Sequence, residues 1–282
     1  MPPSGSRHKG ASHLSYVHSP TVTVCVGIEK TKFCVHKELI CNKSTFFDKA
    51  LNGSFVEAKS LTVRLEHISV PLFSIFVSWA YGGRLIYVLP SEGNTTAVED
   101  FLPLLCQTPA SLEVDQDDAS TWPLDIIAKL YILGDYLDSQ QFKNNVISAI
   151  DGPFTWNRGL NDADVPTNAL VKFVYENTPS KAPLRDLMVD LMVYGQTWGQ
   201  PTETWEDLPP EFMAKVMSSL GRRLPWKQCS GCYSRAIARN SLSDANADGM
   251  HLTDDRAPFA DSECFYHEHE TKEERDECHQ EG

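Results

Sequence analysis

Phe33-Cys34-Val35-His36-Lys37-Glu38-Leu39-Ile40 passes from a strand pattern to a helix pattern without an intervening loop. Phe33 and Val35 alternate with Cys34 and His36 at period two, and Leu39-Ile40 then begins a short apolar helical turn. Before it, Val22, Val24 and Val26 alternate with Thr21, Thr23 and Cys25 until Gly27, so the two stretches form a hairpin about the Glu29-Lys30 turn. After it, Ser44 can cap a helix from Thr45 to Leu51 that turns Phe46, Phe47 and Leu51 inward and ends at Gly53. Leu61, Val63 and Leu65 mark a third strand. Ser69 and Pro71 open a helix whose Leu72, Phe73, Ile75, Phe76, Val77, Trp79 and Ala80 are apolar nearly all round, as suits a central element, and Gly82-Gly83 stops it.

The chain then changes character. Residues 90–121 hold seven acids, no Lys or Arg, and many Pro, Asn, Ser and Thr, the composition of an exposed acidic insert. Helical spacing resumes at Ile126, Ile127, Leu130, Tyr131, Gly134 and Leu137, then at Phe142, Val146 and Ile150, with a stop expected at Gly152-Pro153. Further helices follow: Leu170, Phe173 and Val174, then Pro183 to Gly195, then Pro210 to Leu220. Beyond about residue 227 aliphatic residues are few, so only Cys and His could order the chain.

The net charge of −13 repels phosphate backbones and anionic membrane surfaces, which disfavours nucleic acid and membrane as partners. Residues 240–282 hold 13 acids against three bases, so most of that charge belongs to the tail. The longest apolar run, Val70 to Tyr81, is interrupted by Pro71, Ser74 and Ser78 and falls well short of the roughly 20 residues of a membrane span. Met1 to Ser19 has no apolar core of a secretory signal, so reduced thiols and a location in the nucleus or cytoplasm are expected.

Phe33 to Ile40, Ser44-Thr45-Phe46-Phe47, Phe55-Val56-Glu57-Ala58 and Phe76-Val77-Ser78-Trp79-Ala80-Tyr81-Gly82-Gly83-Arg84-Leu85, in this order, resemble a BTB/POZ domain over residues 21–150. Tyr175 to Pro179, Pro183-Leu184-Arg185 and Leu208 to Phe212 resemble the helical extension of BTB proteins common in filamentous fungi. The resemblance implies an α+β fold with disordered ends at 1–19, a BTB/POZ domain at 20–153 with the insert at 90–121, an all-helical extension at 154–227 and an acidic Cys/His-containing tail at 228–282. The core would be a small mixed sheet packed with helices. Pro20-Thr21 stands where many BTB domains place an Asp that supports their homodimer.

The function so implied is non-enzymatic protein–protein interaction. Its concrete form is a substrate adaptor for a cullin-type ubiquitin ligase, with a cullin-type scaffold and a client protein as partners. The alternative is a BTB-mediated homo-oligomeric scaffold or transcriptional regulator without a cullin; a small zinc enzyme is a third class.

Candidate site residues are few. His36 has no Ser, Cys or carboxylate at a catalytic or metal spacing and reads as a structural histidine bonded to nearby backbone, so no catalytic and no cofactor-binding residue is assigned. Met188 with Met192, and Met213 with Met217, form i, i+4 pairs that read as core filling, with an adaptable docking groove as the alternative. In the tail, Cys264, His267, His269 and Cys278 make the two-thiolate, two-imidazole set of a structural zinc site, with Cys229 and Cys232 as a competing pair. Unliganded, reduced side chains are the other reading of the same residues.

Overall fold

The structure is a computed structural model, and it describes residues 15–86, 118–119, 122–156, 165–195, 205–222, 267–269 and 271–274. It divides into two compact units. Among the described residues, the first comprises 15–86 and 133–142, and the second 118–132 and 143–274.

In the first unit, β1 (Thr21–Val26) and β2 (Thr31–His36) form the hairpin that the alternation predicts, with Val22 opposite Val35 and Val24 opposite Phe33. Gly27 turns the chain at φ +73, where a side chain would be strained. The third strand, β3 (Thr62–Leu65), pairs parallel to β1, giving the mixed order β2-β1-β3. Val22, Val24 and Val26 are buried as the pattern requires, and Cys25 on the opposite face is buried as well.

Helix α1 (Lys37–Lys43) follows β2 directly, and α2 (Thr45–Asn52) starts at Ser44, whose hydroxyl oxygen accepts the Phe47 amide at 3.2 Å. Phe47 and Leu51 are buried, whereas Phe46 is only part-buried and lies against Tyr136, with ring centroids 5.6 Å apart. A short α3 (Val56–Ser60) leads through Leu61, at φ 48, into β3. Helix α4 (Val70–Gly82) is the predicted central helix: Phe73, Phe76 and Trp79 are each at most 1 % exposed. Gly83, at φ 70, ends it by donating its amide to the Trp79 carbonyl.

Helix α5 (Leu124–Tyr136) and helix α6 (Gln140–Trp156) flank the turn 137–139. Phe142 sets its ring edge-on to Phe76 at 5.1 Å and meets Trp79 at 4.9 Å, completing an aromatic column that begins at Phe33 and Phe73. The expected stop at Gly152-Pro153 is not where α6 ends. A proline forfeits one intrahelical hydrogen bond, and here the helix carries it for three further residues.

The second unit contains α7 (Asn168–Asn177), α8 (Pro183–Gly195) and α9 (Pro210–Arg222). Arg185 binds them together from a position only 7 % exposed. Its Nε donates to Thr178 Oγ1, its terminal nitrogens to the carbonyls of Tyr175 and Thr178 and to Glu211 at 3.0 Å, and its plane lies over the Tyr175 ring. Met188 and Met192 fill this core, as does Phe212, while Met213 is part-buried and Met217 is 67 % exposed.

Two substitutions test which contacts hold the first unit. Phe76→Ala should cost about 3–5 kcal/mol, because a fully buried ring leaves a cavity among rigid neighbours. Ser44→Ala deletes a single oxygen yet should cost about 2–3 kcal/mol, since one atom is both the α2 cap and the donor to the Leu137 carbonyl. Chemical denaturation midpoints measure both; a Ser44→Ala midpoint within error of the wild type would show that water replaces those bonds.

Candidate protein-interaction site

His36 lies at the junction of β2 and α1, and its partner is a side chain rather than the nearby backbone expected from sequence. Its amide donates to the Tyr81 hydroxyl at 3.1 Å, and its Nδ1 lies 2.7 Å from the same oxygen. With Nδ1 unprotonated, Tyr81 donates to it while accepting from the backbone, so one hydroxyl closes the sheet onto α4. Tyr16, in a single 3₁₀ turn at Ser15–His18, adds its ring to the pair at 5.6 Å from His36 and 5.9 Å from Tyr81. This turn falls within the stretch 1–19 that was expected to be disordered, and the His36–Tyr81 pair receives its Tyr16.

A hollow of about 460 Å³ lies beside this cluster, lined by residues that include His18, Lys37, Glu38, Cys41 and Asp48. Cys41 is the thiol within it. Burial first, and then the Asp48 carboxylate, raise its pKa against a smaller opposing effect of Lys37. At neutral pH it is a protonated thiol that leans on the Phe47 carbonyl, the opposite of an activated nucleophile.

Two features suit binding to another protein. On the first unit, Phe55 and Val56 project at the start of α3 with 59 % and 75 % of their surface exposed, and Tyr136 is exposed at the end of α5. Large apolar side chains held outward at a helix start form a contact surface without a covering element of their own.

On the second unit, His267-Glu268-His269 of the tail lies against α5 and α6. Tyr131 donates its hydroxyl to one Glu268 carboxylate oxygen at 2.6 Å, and Lys143 its ammonium to the other at 2.6 Å. Asn144 reads the backbone of the same residue, accepting the Glu268 amide and donating to the Glu268 carbonyl, both at 2.9 Å. His267 Nε2 lies 2.8 Å from Ser148 Oγ, and because that hydroxyl donates to the Asn144 carbonyl it accepts from the imidazole. Burial, and then neighbouring His269, push the His267 pKa down to about 4, so the ring is neutral at pH 7.

Of the proposed zinc ligands, His267 and His269 come together, with ring centroids 6.1 Å apart. Cys264 and Cys278, and the competing Cys229 and Cys232, lie outside the described residues, as does nearly all of the insert at 90–121. Among the described residues no group of three or more His, Cys, Asp or Glu is arranged to hold a metal, and no helix is long and apolar enough to cross a membrane. The residues that receive Glu268 were missed by sequence reading. Tyr131 is one apolar position in a helical stripe, Lys143, Asn144 and Ser148 are ordinary helix-surface types, and Glu268 is one acid among many.

A small mixed sheet carrying α1 to α4, with Phe55 and Val56 turned outward, makes up the first unit. Residues 16–104 match the family model of the BTB/POZ domain, and this match supports a protein–protein interaction role for that part of the chain. No curated protein matches the chain.

Thiol chemistry checks the reading of the hollow. Among the described cysteines of the native protein, alkylation followed by peptide mapping should modify exposed Cys34 before buried Cys25 and part-buried Cys41. The Cys41 rate should climb only at pH values above the ordinary thiol value of 9.0, since its pKa is raised. Faster labelling of Cys41 than of Cys34 at pH 7 would mean that the hollow activates the thiol.

Proposed function

We propose that the protein is a non-enzymatic adaptor of a cullin-type ubiquitin ligase, acting in the nucleus or cytoplasm. Its BTB/POZ unit holds the cullin-type scaffold, and the helices at 154–227, or the tail, hold the client. The observation that carries this reading is the BTB/POZ match over residues 16–104 together with the outward Phe55 and Val56 inside it. The client role of the 154–227 helices rests on their resemblance to the helical extension of BTB proteins common in filamentous fungi. Arg185 ties α7, α8 and α9 together, which supports this helical region as a body able to hold a partner.

Structural zinc on Cys264, His267, His269 and Cys278 belongs to the same proposal as a means of ordering the tail, supported by the approach of the two imidazoles. Elemental analysis of the purified protein should find about one zinc per chain, lost in Cys264→Ser/His269→Ala; a metal-free wild type removes this part alone.

Affinity purification from cells of the source organism, with co-purifying chains identified by mass spectrometry, tests the main reading. A cullin-type chain is expected with the wild type and should be lost or reduced at least tenfold with Phe55→Glu/Val56→Lys, whose thermal midpoint should stay near the wild-type value because both side chains are exposed. Self-association of the intact protein without a cullin would replace this reading with that of an oligomeric BTB scaffold or transcriptional regulator.

A further inference from the structure

We propose that Tyr131, Lys143, Asn144 and Ser148 form an acceptor site for a short extended peptide with a central glutamate, and that the chain's own His267-Glu268-His269 occupies it as an intramolecular competitor. The inference deepens the adaptor reading by naming the class of client segment, and it rests on that reading for its biological sense.

The geometry separates what the site demands from what it tolerates. Asn144 closes a reciprocal pair of hydrogen bonds on the amide and carbonyl of a single residue, so it selects extended main chain whatever the side chain. Tyr131 and Lys143 then read that residue's side chain by taking one carboxylate oxygen each. With the main chain pinned at Asn144, a side chain one methylene shorter cannot bring both oxygens to Tyr131 and Lys143, so the site prefers Glu to Asp. Lys143 has 10 % of its side chain exposed and lies over the Tyr131 ring, so its ammonium meets the ligand in a partly dehydrated place where a carboxylate gains most. Ser148 accepts from the preceding residue's imidazole and sets the direction of the peptide along α6.

These contacts are polar and converge on one residue. The Glu268 carboxylate keeps 30 % of its surface, so solvent reaches the contact from one side. An interaction of this kind exchanges: its hydrogen bonds are strong enough to choose a ligand, and the ordering of the segment offsets much of their gain. Tethering supplies the rest, because a ligand on the same chain is presented at an effective concentration on the order of millimolar. A partner bearing the same glutamate-centred segment must displace the tail to bind.

The probe is a fluorescent peptide of residues 265–274, which contains neither Cys264 nor Cys278 and so does not depend on the proposed zinc set. Its binding is measured by polarisation to the full-length wild type, to Glu268→Ala, and to Glu268→Ala/Asn144→Ala. Freeing the site in Glu268→Ala should tighten peptide binding at least about tenfold relative to the wild type. Adding Asn144→Ala should abolish that gain, and a peptide with Asp at position 268 should bind at least about tenfold more weakly than the Glu peptide to the freed site. Glu268→Ala lies in the tail, and circular dichroism of each variant confirms that the helices persist. Equal affinity of wild type and Glu268→Ala, absence of binding to both, or a gain that survives Asn144→Ala overturns the proposal. Failure here with a cullin-type chain still captured would leave the adaptor reading standing; success here without that chain would leave the peptide site standing.

Discussion

The first unit depends on a seam of hydrogen bonds between two short stretches far apart in sequence. The Ser44 hydroxyl donates to the Leu137 carbonyl at 2.5 Å, the Thr45 amide to the Asp138 carbonyl at 3.1 Å, and the Ser139 hydroxyl to the Lys43 carbonyl at 2.6 Å. The seam joins the α1–α2 junction to the α5–α6 turn, where Asp138 sits at φ 49. Each element thereby satisfies the polar groups that a chain reversal leaves open on the other. Both serines are about 2 % exposed, so water is poorly placed to replace them. With the turn fixed, Phe142 is delivered onto Phe76 and Trp79, and Tyr136 onto Phe46. The aromatic column forms part of the buried core, and the seam decides which residues meet in it.

This explains what sequence could and could not disclose. The strands, the Ser44 cap and the stop at Gly83 were readable because their causes are local: period-two alternation, an oxygen three residues ahead of an open amide, a left-handed position after a helix. The BTB/POZ likeness rested on the same local signals in order. Ser44 could be recognised as a cap, yet its second bond, 93 residues away, left no trace in the pattern. His36 shows the same limit: its residue type suggested a structural role, but Tyr81 as partner required the fold.

The tail inverts the weight given to its residues. Cys and His drew attention through their metal chemistry, whereas the group that makes the most specific contacts is Glu268, which composition merges into a solvated acidic run. Its selection by Tyr131, Lys143 and Asn144 depends on α5 and α6 bringing residues of ordinary surface type to one place. A charge run in a sequence states an average property, and a site exists only where the fold supplies a matching donor geometry.

The distribution of charge bears on how such a contact behaves. Up to residue 239 the chain is close to neutral, so the acidic tail is not pulled onto the body by a general field, and beyond a Debye length of about 8 Å at physiological salt any remaining pull is screened. Docking must then come from short-range bonds that distinguish one glutamate from its neighbours. Lys143 and Tyr131 provide two of these and Asn144 two more, all directed at the same residue. Because the discrimination lies in donor placement instead of net charge, the contact can be specific while remaining weak. That combination lets a segment carried on the same chain occupy the site without sealing it against a partner of matching chemistry.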